Sequence, residues 1–422
     1  MVAARSARSN ARIVGLTRVV VCAILLLSSE PSEALQIANH HAALWHPPEG
    51  LGWFVAVVPI SATVAGIISR VYFTCAWFAI FGFYTRFALS GLFASAFYLF
   101  SVRQLGGVVL HDMHLLWLTG LLALSPSSAA WSVDTWFRGH TFKPFASRAH
   151  DADAFLFWAR TLLGLIYFFP GFWKLRESGL DWALSDNLQN QLWAKWYEYG
   201  KVPSVRVDLH PGLLHALGVG TLVFELGFVF GVHRSKRVRI VLGVLGVAFH
   251  LSIEHLMFIP FSSLWCCYVV LLGAEVAKPK LRAPASLVGM VIAALLVERG
   301  FRGATQSYPF ACYPTFAARI DGTLPDMLVS IDGGQGSIKE VSVARDASGH
   351  RSQAAWGEVW SVLGIYGAPL DEARLRAYLL RELGGQDLSG RKVRIEVGTF
   401  STNPAHWGSP PMARRLVAEL AF

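Results

Sequence analysis

Residues 211–232 read PGLLHALGVGTLVFELGFVFGV, a run of 22 residues in which Glu225 is the sole Asp, Glu, Lys or Arg. A helix needs about 20 mostly apolar residues to cross the hydrocarbon core of a bilayer. This stretch therefore reads as a membrane span with one acid inside it. The whole chain agrees. Of 422 residues, 54% are hydrophobic and 13% aromatic, with only 15% charged, and the mean hydropathy is +0.43. A soluble domain carries about 25% charged residues. That deficit excludes an ordinary cytosolic enzyme, a disordered chain and a solvated repeat array. The net charge of +9 does not argue for nucleic acid, because basic residues in so apolar a chain set topology at helix ends.

The same pattern recurs outward from this run. Residues 51–69, 113–133 and 256–274 carry no charge, and 71–102 is interrupted only by Arg86. Residues 161–173 extend back to Phe155, and 240–253 and 283–297 complete the set. Residues 13–34 have two readings. Arg5, Arg8, Arg12 and Arg18 lead into an apolar run, with small Ser32 and Ala34 beyond it. That describes either a first anchor or a cleaved secretory signal. The fold class expected is an all-α polytopic membrane bundle of about nine transmembrane helices over residues 1–320. Basic loops at 138–148, 233–239 and 278–282 contain no acid, which puts them in the cytoplasm. The N-terminus is then inside and the tail outside, provided that 71–102 crosses once.

Residues 321–422 change character. Gly333-Gly334 and Gly384-Gly385 mark turns. Leu375, Tyr378, Leu379 and Leu383 fall at helical spacing, and Val393, Ile395 and Val397 alternate as in a strand. A small extramembrane α+β domain is expected. Five scattered cysteines, Cys312 among them, form no CxxC motif and no disulfide framework.

Charges inside spans are costly and are functional candidates by default. Arg70, Arg103 and Arg160 read as side chains snorkelling from span ends. Lys174 ends Tyr167-Phe168-Phe169-Pro170-Gly171-Phe172-Trp173, where Pro170 and Gly171 can bend the helix. Its position suits either snorkelling or a neutral amine acting as a base. Glu225 needs a partner, and Lys174, His250 or an arginine could serve. His111, Asp112 and His114 open one span, and His250, Glu254 and His255 close another. Such spacing suits hydrogen-bonded packing of the bundle, a proton relay or contact with a quinone-type ligand. No metal is expected. Trp182, Trp193, Trp196, Tyr197 and Tyr199 crowd one loop, with Leu184, Leu188, Leu192 and Trp196 on one face. This reads as a helix lying in the outer interface beside Lys174.

Several of these pieces occur in order. Trp131-Ser132-Val133-Asp134 leads to Tyr167-Phe168-x-x-Gly171-x-x-Lys174-Leu175, then Trp182, Phe249-His250 and Phe261-Ser262. Tyr308-Pro309-Phe310 and Tyr313-Pro314-x-Phe316 follow. This series resembles the HTTM (horizontally transferred transmembrane domain) family, the membrane domain of vitamin K-dependent gamma-carboxylases and their bacterial relatives. The resemblance implies an integral protein of the bacterial inner membrane, surrounded by membrane lipids. It implies Lys174 as the catalytic base on a quinol or vitamin K-like, lipid-soluble compound, with oxygen and carbon dioxide. His114 lies near a functional histidine of the family. His114, Asp134, Glu225 and His250 would orient the ligand or move protons. The activity would be that of a carboxylase- and epoxidase-like lyase. Carboxylases carry a large lumenal region, and about 100 residues follow the membrane part here. The alternative is a non-catalytic membrane partner in maturation or export of a secreted peptide. A transporter ranks third, since no pair of spans reads as an inverted repeat.

Overall fold

The computed structural model describes residues 2–40, 42–106, 112–137, 145–276, 283–304, 307–311, 316–332, 338–343, 353–364, 370–384 and 386–422. His111, Cys312, Tyr313-Pro314, Gly333-Gly334, Gly385, the basic residues of 278–282 and most of the 138–148 loop lie outside these residues. The chain is mostly helical. In order, α1 is Val2–Leu27, α2 Glu30–Ala38, α3 Gly52–Val57, α4 Ala62–Phe81 and α5 Thr85–Arg103. Then come α6 Met113–Ala123, α7 Val133–Phe137, α8 Phe145–Ser178, α9 Asp181–Leu184 and α10 Asn187–Tyr199. Next are α11 Pro211–Gly231, α12 Lys236–Met257, α13 Ser262–Trp265, a 3-10 segment Cys266–Leu272 and α14 Pro284–Arg302. The tail holds β1 Thr323–Asp332, β2 Ile338–Val341, α15 Gln353–Val362, α16 Glu372–Glu382, β3 Lys392–Ser401 and β4 Ala413–Ala421.

Among the described residues, seven helices are long and apolar enough to cross a membrane. They lie at Arg8–Leu27, Ala62–Phe81, Thr85–Gly106, Asp151–Ser178, Pro211–Gly231, Lys236–Met257 and Pro284–Arg302. Two boundaries differ from the sequence reading. Residues 51–69 are not one helix, because Pro59 separates α3 from α4 and Ser61 caps α4 by accepting from the Val64 amide at 3.2 Å. Residues 71–102 are not one helix either. They divide at Gly82, whose φ of +69° suits glycine and ends α4. Asp134 then caps the start of α5, accepting from the Tyr84 and Thr85 amides at 2.9 Å each. Both apolar runs were long enough, but turn chemistry inside them moved the helices.

The two remaining apolar runs form no long helix. Met113–Ala123 and Ser262–Leu272 are short. Each nonetheless runs the length of a longer neighbour. Residues 113–134 return along α5 from its end to its capped start. Residues 262–274 return along α12 until Arg239, near the start of α12, meets the carbonyls of Leu271 at 3.1 Å and Gly273 at 2.6 Å. The 3-10 segment rises about 2.0 Å per residue against about 1.5 Å for an α-helix, so few residues cover the distance.

Irregular backbone among apolar helices leaves carbonyls without partners, and buried arginines supply them. Arg160 donates to Val270 at 3.0 Å and Ala274 at 3.3 Å. Arg18 donates to Ser127 at 2.9 Å and also to Trp131, in the non-helical stretch after α6. Arg18, Arg160 and Arg239 are at most 1% exposed. Arg160 therefore does not snorkel, because the exposed carbonyl end of a 3-10 segment binds its guanidinium. Arg103 is held by Glu30 and Glu33 of α2.

The tail forms a four-stranded antiparallel sheet of order β2-β1-β3-β4. Leu375, Tyr378, Leu379 and Leu383 of α16 cover one face, packed on Val393, Ile395 and Val397 of β3. Both periodicities read from the sequence are present. The sheet meets α10 through Tyr197, whose ring lies 6.1–6.3 Å from those of Trp356, Phe400 and Trp407.

Replacing Arg160 with leucine should strand two buried carbonyls, at about 1–3 kcal/mol each. Thermal unfolding in mild detergent should show a lowered midpoint for Arg160→Leu. The exposed Arg237→Leu control should stay near wild type.

Candidate functional site

The site begins with a close helix contact. A Cβ on Gly171 of α8 would lie 2.8 Å from the Cβ of Glu225 on α11. Only glycine permits that approach. One turn further along α8, Lys174 then reaches Glu225, with its Nζ 2.6 Å from Oε1 and 2.8 Å from Oε2. Both side chains are buried, at 4% and 6% exposure. The sequence left Lys174, His250 and the arginines as candidate partners, and tertiary packing selects Lys174. The Nζ also lies 5.0 Å from the centre of the Trp182 ring, within cation–π range.

The pair lies in the wall of a cavity with about 840 Å³ of space. Tyr167, Trp182, Gln191 and His250 also line it, with Met257, Phe261 and Leu264 among its apolar walls. Pro170 is a lining residue within α8, which continues through it as one helix. Proline donates no N–H, so the Ile166 carbonyl leaves the helical ladder beside the cavity.

A second polar group faces the pair. Tyr167 bonds through its hydroxyl to Nε2 of His250 and to the hydroxyl of Tyr268. The other ring nitrogen of His250, Nδ1, has no hydrogen-bond partner among the described residues. His250, 3% exposed, thus keeps one polar atom unused in an apolar surround. Glu254 and His255 point outward and are exposed. The grouping suggested by their spacing is split, because the stripe of α12 that lines the cavity runs through His250, Ile253 and Met257.

His114 is buried behind this wall, with Nε2 3.0 Å from the Ser263 carbonyl. Ser263 sits between Phe261 and Leu264, both in the cavity wall. Asp134 does not join the site. Its carboxylate is engaged at the start of α5, where it also accepts from the Thr85 hydroxyl at 2.7 Å. A helix N-terminus exposes free amides and attracts a carboxylate. Of the five candidates, the structure brings Lys174, Glu225 and His250 to one cavity, places His114 beside it and assigns Asp134 elsewhere.

The outer end is closed by residues 316–320. Trp182 Nε1 donates to the Phe316 carbonyl at 2.6 Å, and Gln191 Nε2 to that of Ala318 at 3.0 Å. Asn190 Nδ2 donates to the Ile320 carbonyl at 2.9 Å. These bonds tie the cavity to the entry of β1. Phe316 entered the sequence reading only within the motif of the family resemblance and Gln191 not at all, because their roles depend on contacts across more than a hundred positions. Tyr268 had a signal, since any hydroxyl in a charge-free run needs a partner.

Outside the spans, Asp208 carries a further ion pair. Burial opposes its charge, but bonds from Arg206 and Trp193 outweigh that and hold its carboxyl below the usual range. Arg206 Nη2 lies 2.7 Å from Oδ2 of Asp208. The pair fastens the loop between α10 and α11 near the cavity's outer end.

Among the described residues, no group of three or more His, Cys, Asp or Glu side chains is placed to hold a metal. Comparison with protein-family models, with curated proteins and with solved structures finds no match.

Removing one member of a buried pair leaves an uncompensated charge and costs about 3–5 kcal/mol. Lys174→Met should therefore lower the thermal midpoint sharply. Lys174→Met combined with Glu225→Leu should recover most of the loss. A double variant no more stable than the single one would show that the pair does not act as a unit.

Proposed function

We propose that this chain is an HTTM-type integral membrane enzyme in which Lys174 acts as a base on a quinol-like, lipid-soluble compound. The observation that carries the reading is a buried lysine–carboxylate pair at the wall of an apolar cavity. Lys174 and Glu225 balance in charge, so the site suits an uncharged head group that donates and accepts hydrogen bonds. The unpartnered Nδ1 of His250 and the aromatic lining fit a flat ring of that kind. A bound quinol would supply reducing electrons for chemistry with oxygen, and in a carboxylase-like reaction carbon dioxide would add to a deprotonated carbon of a second substrate.

The residues supply proton handling. Lys174 passes a proton from Nζ to a Glu225 oxygen along a 2.6 Å contact. The neutral amine then takes a hydroxyl proton from the ligand. Net transfer is from ligand to Glu225, and no charge is left unpaired in a low-dielectric site. His250 orients the ligand head, and Tyr167 and Tyr268 fix the ring of His250. The apolar walls and the 316–320 segment keep water out.

The topology that accompanies this reading has nine crossings. Seven are the long helices, and two are the short segments that run the length of α5 and α12. Irregular backbone is tolerated at membrane depth when protein groups satisfy it. The basic 233–239 loop is then cytoplasmic, the N-terminus inside and the sheet domain outside. A bacterial inner membrane is the setting proposed.

A second reading is favoured by the sheet domain's direct bonding to the cavity wall. The chain would then be a membrane partner in maturation or export of a secreted peptide, without chemistry of its own.

The two separate at Lys174. Lys174→Arg keeps a positive partner for Glu225, but a guanidinium does not give up its proton. The variant should fold and insert, yet form no oxygenated product when reduced naphthoquinone and oxygen are added. Full activity in Lys174→Arg would remove the base assignment. Mass spectrometry of lipids co-purifying in mild detergent should find a bound isoprenoid compound in the wild type.

A further inference from the structure

The cavity is not sealed on its lipid side. Thr221 of α11 and Phe249 and Ile253 of α12 line it, and all three are half-exposed. Lys174, Glu225 and His250, in contrast, are buried. Thr221, Phe249 and Ile253 thus form a partly exposed stretch of the lining carried by α11 and α12. Around it both helices turn apolar side chains outward, with Val223 68% and Leu251 48% exposed. Glu225 is the only Asp, Glu, Lys or Arg in residues 211–231 of α11, and residues 240–253 of α12 contain none.

The two helices converge towards the turn that joins them. A Cβ on Gly231 would lie 2.3 Å from a methyl carbon of Leu242, and the Phe224 and Phe249 rings lie 5.0 Å apart. Further from that turn, Thr221 of α11 and Ile253 of α12 are the partly exposed residues of the cavity lining. On its far side the cavity is capped by Leu188 of α10 and by Phe316. Thr221 on one helix and Phe249 and Ile253 on the other border the apolar slot between them.

We propose that this slot is a lateral portal: the ligand's head group enters sideways towards Lys174, while its hydrocarbon tail stays between α11 and α12 in contact with lipid. Thr221 and Ile253 set which tails pass. The inference rests on the quinol-like reading above, and it adds the route and the residues that select the tail. A tail in the slot lies against the apolar side chains of Phe249 and Ile253, so apolar surface keeps an apolar neighbour. Entry from water would instead require crossing the bonded 316–320 segment.

The test uses the full chain in lipid nanodiscs and two probes, tail-less menadione and a naphthoquinone with a long isoprenoid tail. Binding is read by quenching of tryptophan fluorescence. In Thr221→Phe and Ile253→Trp, the affinity for the tailed probe relative to menadione should fall about tenfold, the equivalent of about two buried methylenes. An unchanged ratio in both variants overturns the portal while leaving the head-group site in place. Failure of the wild type to bind either probe overturns the quinol-like reading itself, and the portal with it. A tailed probe carrying a terminal diazirine needs no variant. Its adducts in the wild type should fall on the outward faces of α11 and α12. Adducts on α8 or on the 3-10 segment would show an internal tail path and overturn the proposal.

Discussion

Inside an apolar bundle no water is at hand, so every polar group must find its partner in the protein. This constraint organises the molecule at two scales. At the backbone it governs the segments that are not regular α-helix. Arg18, Arg160 and Arg239 turn guanidinium groups onto carbonyls that a continuous helix would have bonded internally. A planar group with five donors suits this task better than an ammonium. At the side chains, it governs the contact of α8 with α11, where one lysine and one glutamate neutralise each other. Removing either would leave a lone charge in a medium that solvates it poorly.

The same constraint gives the cavity its character. Its polar atoms are few, and most are already engaged. Lys174 and Glu225 hold each other, and Tyr167 holds His250 and Tyr268. What remains for a ligand is the outer surface of the ion pair, one nitrogen of His250, a released carbonyl at Ile166 and aromatic rings. A charged head would upset the balance, and a purely apolar one would leave those atoms unmet. The proposed portal between α11 and α12 fits a ligand that resides in lipid. The short 3-10 segment is part of this design, because it carries Tyr268 to Tyr167 and is itself secured by two arginines.

Much of this was legible before the fold. Apolar runs located seven long helices among the described residues, though not their ends, while the runs at 113–133 and 256–274 gave only short segments. The ends moved where proline, glycine and a capping carboxylate act, as at Pro59, Gly82 and Asp134. The tail helix and strand were readable because one face of each is apolar at the right period. Lys174, Glu225 and His250 stood out because charge or imidazole in an apolar run demands a reason. Asp134 was named through the family resemblance, and the folded chain uses it to cap a helix. Arg160 was misread, since an arginine at a span end looks the same whether it reaches water or a buried carbonyl.

By itself the sequence determined that the chain is rich in membrane-length helices, and it produced a short list of polar residues that had to be explained. Hydropathy and period are local properties, carried by neighbours along the chain. The partners were another matter. That Lys174 meets Glu225, 51 positions away, and that Tyr268 joins Tyr167, 101 away, was decided by how the helices pack. So was the difference between Asp134 as a cap and His250 as a cavity residue. A side chain's chemistry is written in its identity, but its role is set by what lies within about 3 Å of it, and that distance exists only in the folded chain.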